Sequence, residues 1–479
     1  MSVLMRIPMI AATVALAACA VGPDYERPAT PAASRFARDE KLALGQREPA
    51  AASADADVAF WRGFGDPVLG RLIDQALTAN QDLRFAIARY DAANALLAHA
   101  KFDRFPTITA NGQIGHQLLS KDQAFGAPRV ARDNPISSAA INASWELDLF
   151  GRVRRGIEAQ QTETAASAAD IRAVRVSIAA EVARTYVDLR GAQERLRIAR
   201  ANVRNQRQTL ALVDARVGAG RGSDLDAARA RAQLESTTSR IAVHEATIGV
   251  DEHRLAVLTG QAPDALIAQL DSSASLPLLA ADIDPGTPAD LLRRRPDVAA
   301  AEARLHAATA RIGVATADLF PRLTLAGMLG SATNSYGFFR AGSDTNLIAL
   351  GIDWSFLDVG RVRARIAESR ADAAGQLAQY QQTVLLALED TENALLRAAR
   401  TRDETAHLER AATSSARAAQ LAQTRFAAGA IDYYEVLDAQ RTLLQAQDAM
   451  ADGQIRSAAA TIALYRALAG GWQSTPTAG

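Results

Sequence analysis

The glycine-rich run Gly218-Ala-Gly220-Arg-Gly222 has the composition of a loop that brings backbone N–H groups against phosphate oxygens. No Lys-Ser or Lys-Thr pair follows it and no strand-like run precedes it, so a helical-hairpin turn is the better account of those glycines. The six histidines, His99, His116, His244, His253, His306 and His407, fall at no metal-ligand spacing. His244-Glu245 also lacks the second histidine that a zinc-protease helix carries. They read as solvated or packed side chains. No serine stands in a nucleophile-elbow context, and carboxylates paired along helical stretches serve more often as solvated faces than as acid–base dyads. No enzymatic activity, metal or cofactor is therefore expected. Arg293-Arg294-Arg295 has two accounts: a basic patch for a partner, or a solvated loop entering a helix that Pro296-Asp297 starts.

Cys19 carries the firmest chemistry. Arg6 precedes an apolar stretch, Ile7 to Ala18, that is shorter than the roughly 20 residues of a membrane-spanning helix and ends in small residues, the pattern of a cleaved signal. Cys19 directly follows Leu16-Ala17-Ala18, in the manner of a bacterial lipobox, and is expected to become the acylated first residue of an exported chain. The alternative is an unpaired exported thiol. As the one cysteine of the sequence it can form no intrachain disulfide. Ala20 and Val21 follow, with no Asp at the second mature position to signal inner-membrane retention, so sorting to the outer membrane is expected. Lys and Arg total 53 against 53 Asp and Glu, which leaves no basic field to concentrate nucleic acid.

The elements that must carry these residues are mostly helical. Of the 479 residues 49% are hydrophobic but only 5% aromatic, and alanine interleaved with Arg, Gln, Glu and Leu favours closely packed helices. Residues 1–18 read as the signal and 19–60 as an extended tether, with Pro23, Pro28, Pro31 and Pro49 blocking regular structure. After that the chain repeats itself at an offset of about 210 residues. Phe105-Pro106 returns as Phe320-Pro321, and the run from Trp145 to Arg152 as that from Trp354 to Arg361. Arg216-Val-Gly-Ala-Gly220 likewise returns as Arg425-Phe-Ala-Ala-Gly429. The copies span 61–270 and 288–472; a linker, 271–287, runs through Pro277 and Pro285 to Pro288, and 473–479 is a tail.

Within each copy two stretches alternate with period two. Ile108, Ala110, Gly112 and Ile114 share one face, as do Ala139, Ile141, Ala143, Trp145, Leu147 and Leu149. Leu323 with Leu325, and Ile348 through Trp354 to Phe356, supply the second pair. Strands of about 10 residues with one apolar and one polar face suit a lipid-facing, lumen-facing barrel wall. No proline interrupts Arg152 to Val217 or Arg361 to Ala428, so a helix of roughly 100 Å is expected in each copy at about 1.5 Å per residue. Gly220 and Gly429 stand where left-handed C-caps belong, and Ser223-x-x-Asp226 and Asp432-x-x-Glu435 read as capping boxes opening the returning helices. Two strands per copy cannot close a barrel, and an open edge in lipid leaves backbone groups unpaired. Copies of the chain must associate, and three would give a barrel wide enough to keep a lumen.

Several motifs in order resemble one family. Cys19 through Pro28 (Cys-Ala-Val-Gly-Pro-Asp-Tyr-Glu-Arg-Pro), Phe60 through Pro67 (Phe-Trp-Arg-Gly-Phe-Gly-Asp-Pro), Leu291 through Val298 (Leu-Leu-Arg-Arg-Arg-Pro-Asp-Val) with Glu302, Ala315 to Pro321 and the two Gly turns resemble the TolC-type outer-membrane factors. The resemblance lies in the lipidated OprM/NodT-like branch that serves RND efflux pumps and covers essentially the whole mature length. It implies an α+β membrane protein: a homotrimeric twelve-stranded barrel, four strands per protomer, continued by a periplasmic barrel of antiparallel coiled-coil-like helices. It implies docking at the Gly220 and Gly429 tips by a periplasmic adaptor, or membrane fusion protein, bound to an inner-membrane RND-type pump. It further places Asp438, Glu435, Tyr434 and Asp226 at a periplasmic gate, with Phe426 where some relatives have a hydrogen-bonding tyrosine and Ile431 where some have an arginine. Their hydrogen-bonded latch is not expected here. Two other functions use similar sequence features: a type I secretion exit duct, and a structural periplasmic lipoprotein without a pore.

Overall fold

The structure, a computed structural model, describes residues 20–29, 34–37, 61, 64–272, 276–277 and 286–469. Cys19 and the stretch before it lie outside the described residues, as do most of the tether and much of the linker. The elements in order are α1 (Pro67–Ala79), α2 (Gln81–Phe102), β1 (Thr107–Leu118), β2 (Asp133–Leu147), α3 (Arg152–Gly218), α4 (Asp224–Leu258), α5 (Pro288–Arg294), α6 (Pro296–Ala317), β3 (Arg322–Thr333), β4 (Asp344–Asp353), α7 (Val359–Ala427) and α8 (Tyr433–Ala467). Two helices, two strands, a long helix and a returning helix thus follow one another in each half. The long helices run 67 and 69 residues, about 100 Å each. Trp354 and Phe356, read as part of the last strand, fall beyond it: β4 ends at Asp353, and Phe356–Asp358 forms a single 3₁₀ turn leading into α7.

The chain divides into two compact units, each drawing on both halves. The first holds Arg89–Ala168 and Ala300–Gln381 with the described residues up to Ala29, and contains the sheet. Its strand order is β1-β2-β3-β4, antiparallel throughout, so β2 and β3 join the two halves and β1 and β4 are the edges. The register sorts the side chains into two faces, because residues paired across antiparallel strands point the same way. Ile108 opposes Ala143, Ile141 opposes Leu329, Trp145 opposes Leu325, and Leu325 opposes Leu350 on the apolar face. The other face carries Asn111, Asn142, Ser144 and Thr324, with Asn142 Nδ2 donating to Asn111 Oδ1 at 2.6 Å. The apolar face is bare: Ile108 is 70% and Ile348 85% exposed. Trp145 on it, and Trp354 just past the end of β4, each donate the indole N–H to a backbone carbonyl, of Arg104 and Leu319 respectively, both at 3.0 Å. An exposed ring with a satisfied polar tip is what a membrane interface favours.

The second unit draws on Thr30–Ala88, Ala169–Ala299 and Gln382–Gly479 as far as these are described. Its largest core packs Leu69, Leu72, Ile73 and Ala76 of α1 against Val182, Tyr186 and Leu189 of α3 and Leu255 of α4. Asp66 fixes that docking: its carboxylate caps α1 by accepting from Val68 N and Leu69 N, and it accepts from the Tyr186 hydroxyl at 2.6 Å. The same unit resolves the three arginines. Arg293 and Arg294 are exposed, whereas Arg295 is buried: its guanidinium binds Asp297 through two nitrogens at 3.0 and 2.6 Å and donates to the carbonyls of Ala387 and Ala467. Arg295 therefore ties the start of α6 to α7 and to the end of α8, rather than facing a partner.

Among the described residues no helix is long and apolar enough to cross a membrane, which says nothing of a β-barrel.

Candidate functional site

The tip where each long helix turns back is built by the same backbone geometry in both halves. Gly220 and Gly429 take φ of +69° and +77°. The residue after each glycine donates its N–H to the carbonyl five residues back, Arg221 to Arg216 at 2.8 Å and Ala430 to Arg425 at 2.9 Å. The glycines themselves donate to Val217 and Phe426. This pair of bonds satisfies carbonyls that a helix end leaves open, and it requires a left-handed residue, for which glycine bears no Cβ penalty. The restarts differ. Ser223 accepts from Leu225 N at 3.1 Å, a side-chain cap. Asp432 occupies the cap position but makes no side-chain cap bond, and Asp226 makes no return bond to Ser223 N, so Ser223 is a simple cap and neither capping box forms. Its carboxylate is exposed, where hydration of the charge competes with one amide bond.

Behind the turns the two hairpins share a small core: Val213, Ala227 and Ala230 of the first meet Phe426, Tyr433, Val436 and Leu437 of the second. Phe426 is 4% exposed, at its centre. Arg216 closes this core from the first hairpin, its guanidinium carbon 4.0 Å from the Phe426 ring centre while Nη2 donates to the Phe426 carbonyl. The ring accepts a cation on its face and the carbonyl accepts a charged donor, so one arginine grips a residue 210 positions away twice. Phe426 and Tyr433 pack with tilted rings 5.8 Å apart. Burial and the neighbouring Asp226 carboxylate push the Tyr433 phenol up to about 12, so it stays neutral.

The acids expected at the gate occupy the outside of this core. Asp226 is half-buried, paired with Arg229 at 3.9 Å, and Arg229 lies 5.9 Å from the ring of Tyr434, which is 60% exposed. Glu435 and Asp438 are exposed and one helical turn apart on α8. Neither carboxylate makes a hydrogen bond or ion pair with any described residue, although Arg441 lies one turn beyond Asp438 and bonds Gln233 at 3.0 Å instead. Arg229 thus sits between Asp226 and Tyr434, Arg216 separately holds Phe426, and Glu435 and Asp438 face solvent. Sequence reading missed Arg216 and Tyr433. The repeat Arg216-Val-Gly / Arg425-Phe-Ala placed Arg216 at equivalence with Arg425, so its contact with Phe426 is a product of hairpin packing that spacing does not encode.

A second cluster lies in the first unit. Tyr25 stacks on His306 at 4.3 Å and reaches Glu302 at 3.4 Å, and Arg27 pairs with the same Glu302 at 2.8 Å. Asp24 and Glu158 bracket Arg155, and Gly22 packs so closely on Gly313 that a Cβ there would lie 2.5 Å from Gly313 Cα. Burial works against ionisation of Glu158, but hydrogen bonds from His306 and Arg155 hold its pKa below the ordinary value. These contacts fasten residues 22–27 to α6 and to the beginning of α3. Among the described residues no group of three or more His, Cys, Asp or Glu is placed to hold a metal ion.

A family model described as outer membrane efflux protein matches residues 72–261 and 287–470, one match for each half. The outer membrane protein OprJ of Pseudomonas aeruginosa is 35% identical over 472 residues, which cover 95% of this chain and 94% of that protein. The cation efflux system protein CusC of Escherichia coli is 30% identical, covering 96% of this chain and 97% of its own. Among solved structures, the outer-membrane channel OprN superposes with a TM-score of 0.86 at 38% identity, covering 95% of this chain and 100% of that one.

Proposed function

The chain belongs to the outer membrane efflux protein family, and we propose that it works as a homotrimer whose periplasmic aperture is ringed by Asp438. It is an outer-membrane channel component of a tripartite efflux system. The observation that carries the assembly is the sheet in the first unit. One face is apolar and bare, and β1 and β4 each present an unpaired edge. In lipid each unmatched backbone group costs several kcal/mol, so the strands persist there only when β4 of one copy pairs with β1 of the next. Three copies of a four-stranded sheet supply twelve strands, enough to leave a lumen lined by the Asn and Ser face. The duct is passive: the pump supplies the energy, and no step here calls for catalysis. Acylated Cys19 anchors the mature chain in the membrane, the Gly220 and Gly429 tips receive the adaptor, and the adaptor connects them to an RND-type inner-membrane pump.

Within the tip, exposed and unpaired Asp438 and Glu435 supply fixed negative charge, and threefold symmetry brings three copies of each around one axis, where such rings attract cations. Arg216 on Phe426, with Arg229 between Asp226 and Tyr434, provides the latch that holds the two hairpins of a protomer together. The test is the single-channel reversal potential in a salt gradient. Asp438→Ala removes charge without touching the Gly429 turn, so the protein folds while its cation preference falls and the reversal potential moves toward zero. Equal potentials for wild type and variant would remove Asp438 from the aperture.

A further inference from the structure

Three non-glycine residues take left-handed backbone angles in the described chain, and two of them are phenylalanines: Phe125 at φ +48° and Phe339 at φ +56°. A bulky residue there is a strained choice, since glycine would sit in the same place without penalty. Both phenylalanines are also displayed, Phe125 at 99% and Phe339 at 75% exposure. Backbone strain retained together with an exposed aromatic ring indicates that the ring itself has a use.

Each loop is braced around its strain. In 119–132, Ser120 and Gln123 exchange side-chain to backbone bonds, Gly126 N donates to Lys121 O at 2.8 Å, and Arg132 donates to the Leu119 and Ala127 carbonyls. That is a short helical turn with Phe125 at the left-handed position where a helix ordinarily ends in glycine. In 334–343, buried Ser331 and Ser343 share a 2.7 Å bond, and Ser331 Oγ accepts from Phe339 N at 3.1 Å. Arg340 holds Ser335 at 2.7 Å, and Phe338 lies against Phe339 with ring centres 6.5 Å apart.

The topology says what these rings meet. Antiparallel order β1-β2-β3-β4 puts the β1–β2 loop and the β3–β4 loop at the same end of the sheet. The first loop leaves edge strand β1 and the second enters edge strand β4. When β4 of one copy pairs with β1 of the next, which keeps the antiparallel alternation, loop 334–343 of the first copy comes to lie beside loop 119–132 of its neighbour. We propose that Phe339, with Phe338, packs against Phe125 of the adjacent copy, forming an aromatic clasp that locks each seam of the barrel at its loop end. This rests on the trimeric reading above, which brings the two edges together.

The test places Phe125→Cys and Phe339→Cys in one full-length chain and treats membranes with a short bis-maleimide. Each single variant serves as the control, which also accounts for Cys19. The double variant is expected to give covalent dimers and trimers in denaturing gels, and the single variants to run as monomers. A sample that light scattering shows to be trimeric but that crosslinks no more than the single variants overturns the clasp and leaves the trimer standing; a monomeric sample overturns both. Phe125→Gly relieves the strain and removes the ring, so the clasp predicts a lower dissociation temperature for the trimer. An unchanged or higher temperature contradicts it.

Discussion

Arg216 is where a single side chain decides most. A guanidinium stacked on an aromatic face contributes about 0.5–2 kcal/mol and a charged hydrogen bond about 1.5–3, so at this partly exposed position Arg216→Ala should weaken the link between the hairpins by about 2 kcal/mol. Opening at the tip would then be roughly thirtyfold more frequent, seen as faster hydrogen exchange at the amides of Gly429 and Ala430. Arg216→Lys keeps the charge and loses the flat stack, and should fall between the two. Unchanged exchange in Arg216→Ala would show that the Val213, Phe426 and Val436 core holds the tip without it. The sequence told only half of this. Phe426 lacks a hydroxyl and Ile431 lacks a charge, so the relatives' latch was not to be assumed, but a cation and a ring from different hairpins meet only once both hairpins exist.

The helices and strands were far more legible, because their physics is local. Alternation at Ile108 to Ile114 and Ala139 to Leu147 marks strands whichever partner they find, and proline-free, alanine-rich stretches lengthen into α3 and α7. The glycine turns were legible for the same reason. Apart from its own chain neighbours, no atom lies within 4 Å of where a Cβ on Gly429 would stand, so Gly429→Ala meets only the backbone penalty of the left-handed region. It should lower the stability of the α7–α8 turn by about 1–2 kcal/mol without a clash, measured as a local loss of exchange protection with the global melting temperature little changed. A large global loss would mean that the turn is packed more tightly than the structure has it. Less legible was the cap at Asp432, since the same residue can bond its helix or remain hydrated. The docking of Tyr25 and Arg27 on Glu302 escaped altogether: proline content announces an extended segment and not its landing place.

For the whole molecule the repeat was the strongest sequence signal, and it accounts for the doubled order of elements. What it left out is how the halves combine, because β2 pairs with β3 across them and each compact unit takes residues from both. The four-stranded sheet also states a need that one chain cannot meet: two bare edges beside an apolar face. Association of copies meets that need, and the direct measurement is planar-bilayer recording on the detergent-extracted mature protein, with its mass taken by light scattering from the same preparation. Particles of three copies that give discrete, cation-preferring conductance steps are the result expected. A monodisperse monomer, or a trimer that never conducts at any applied voltage, would contradict it.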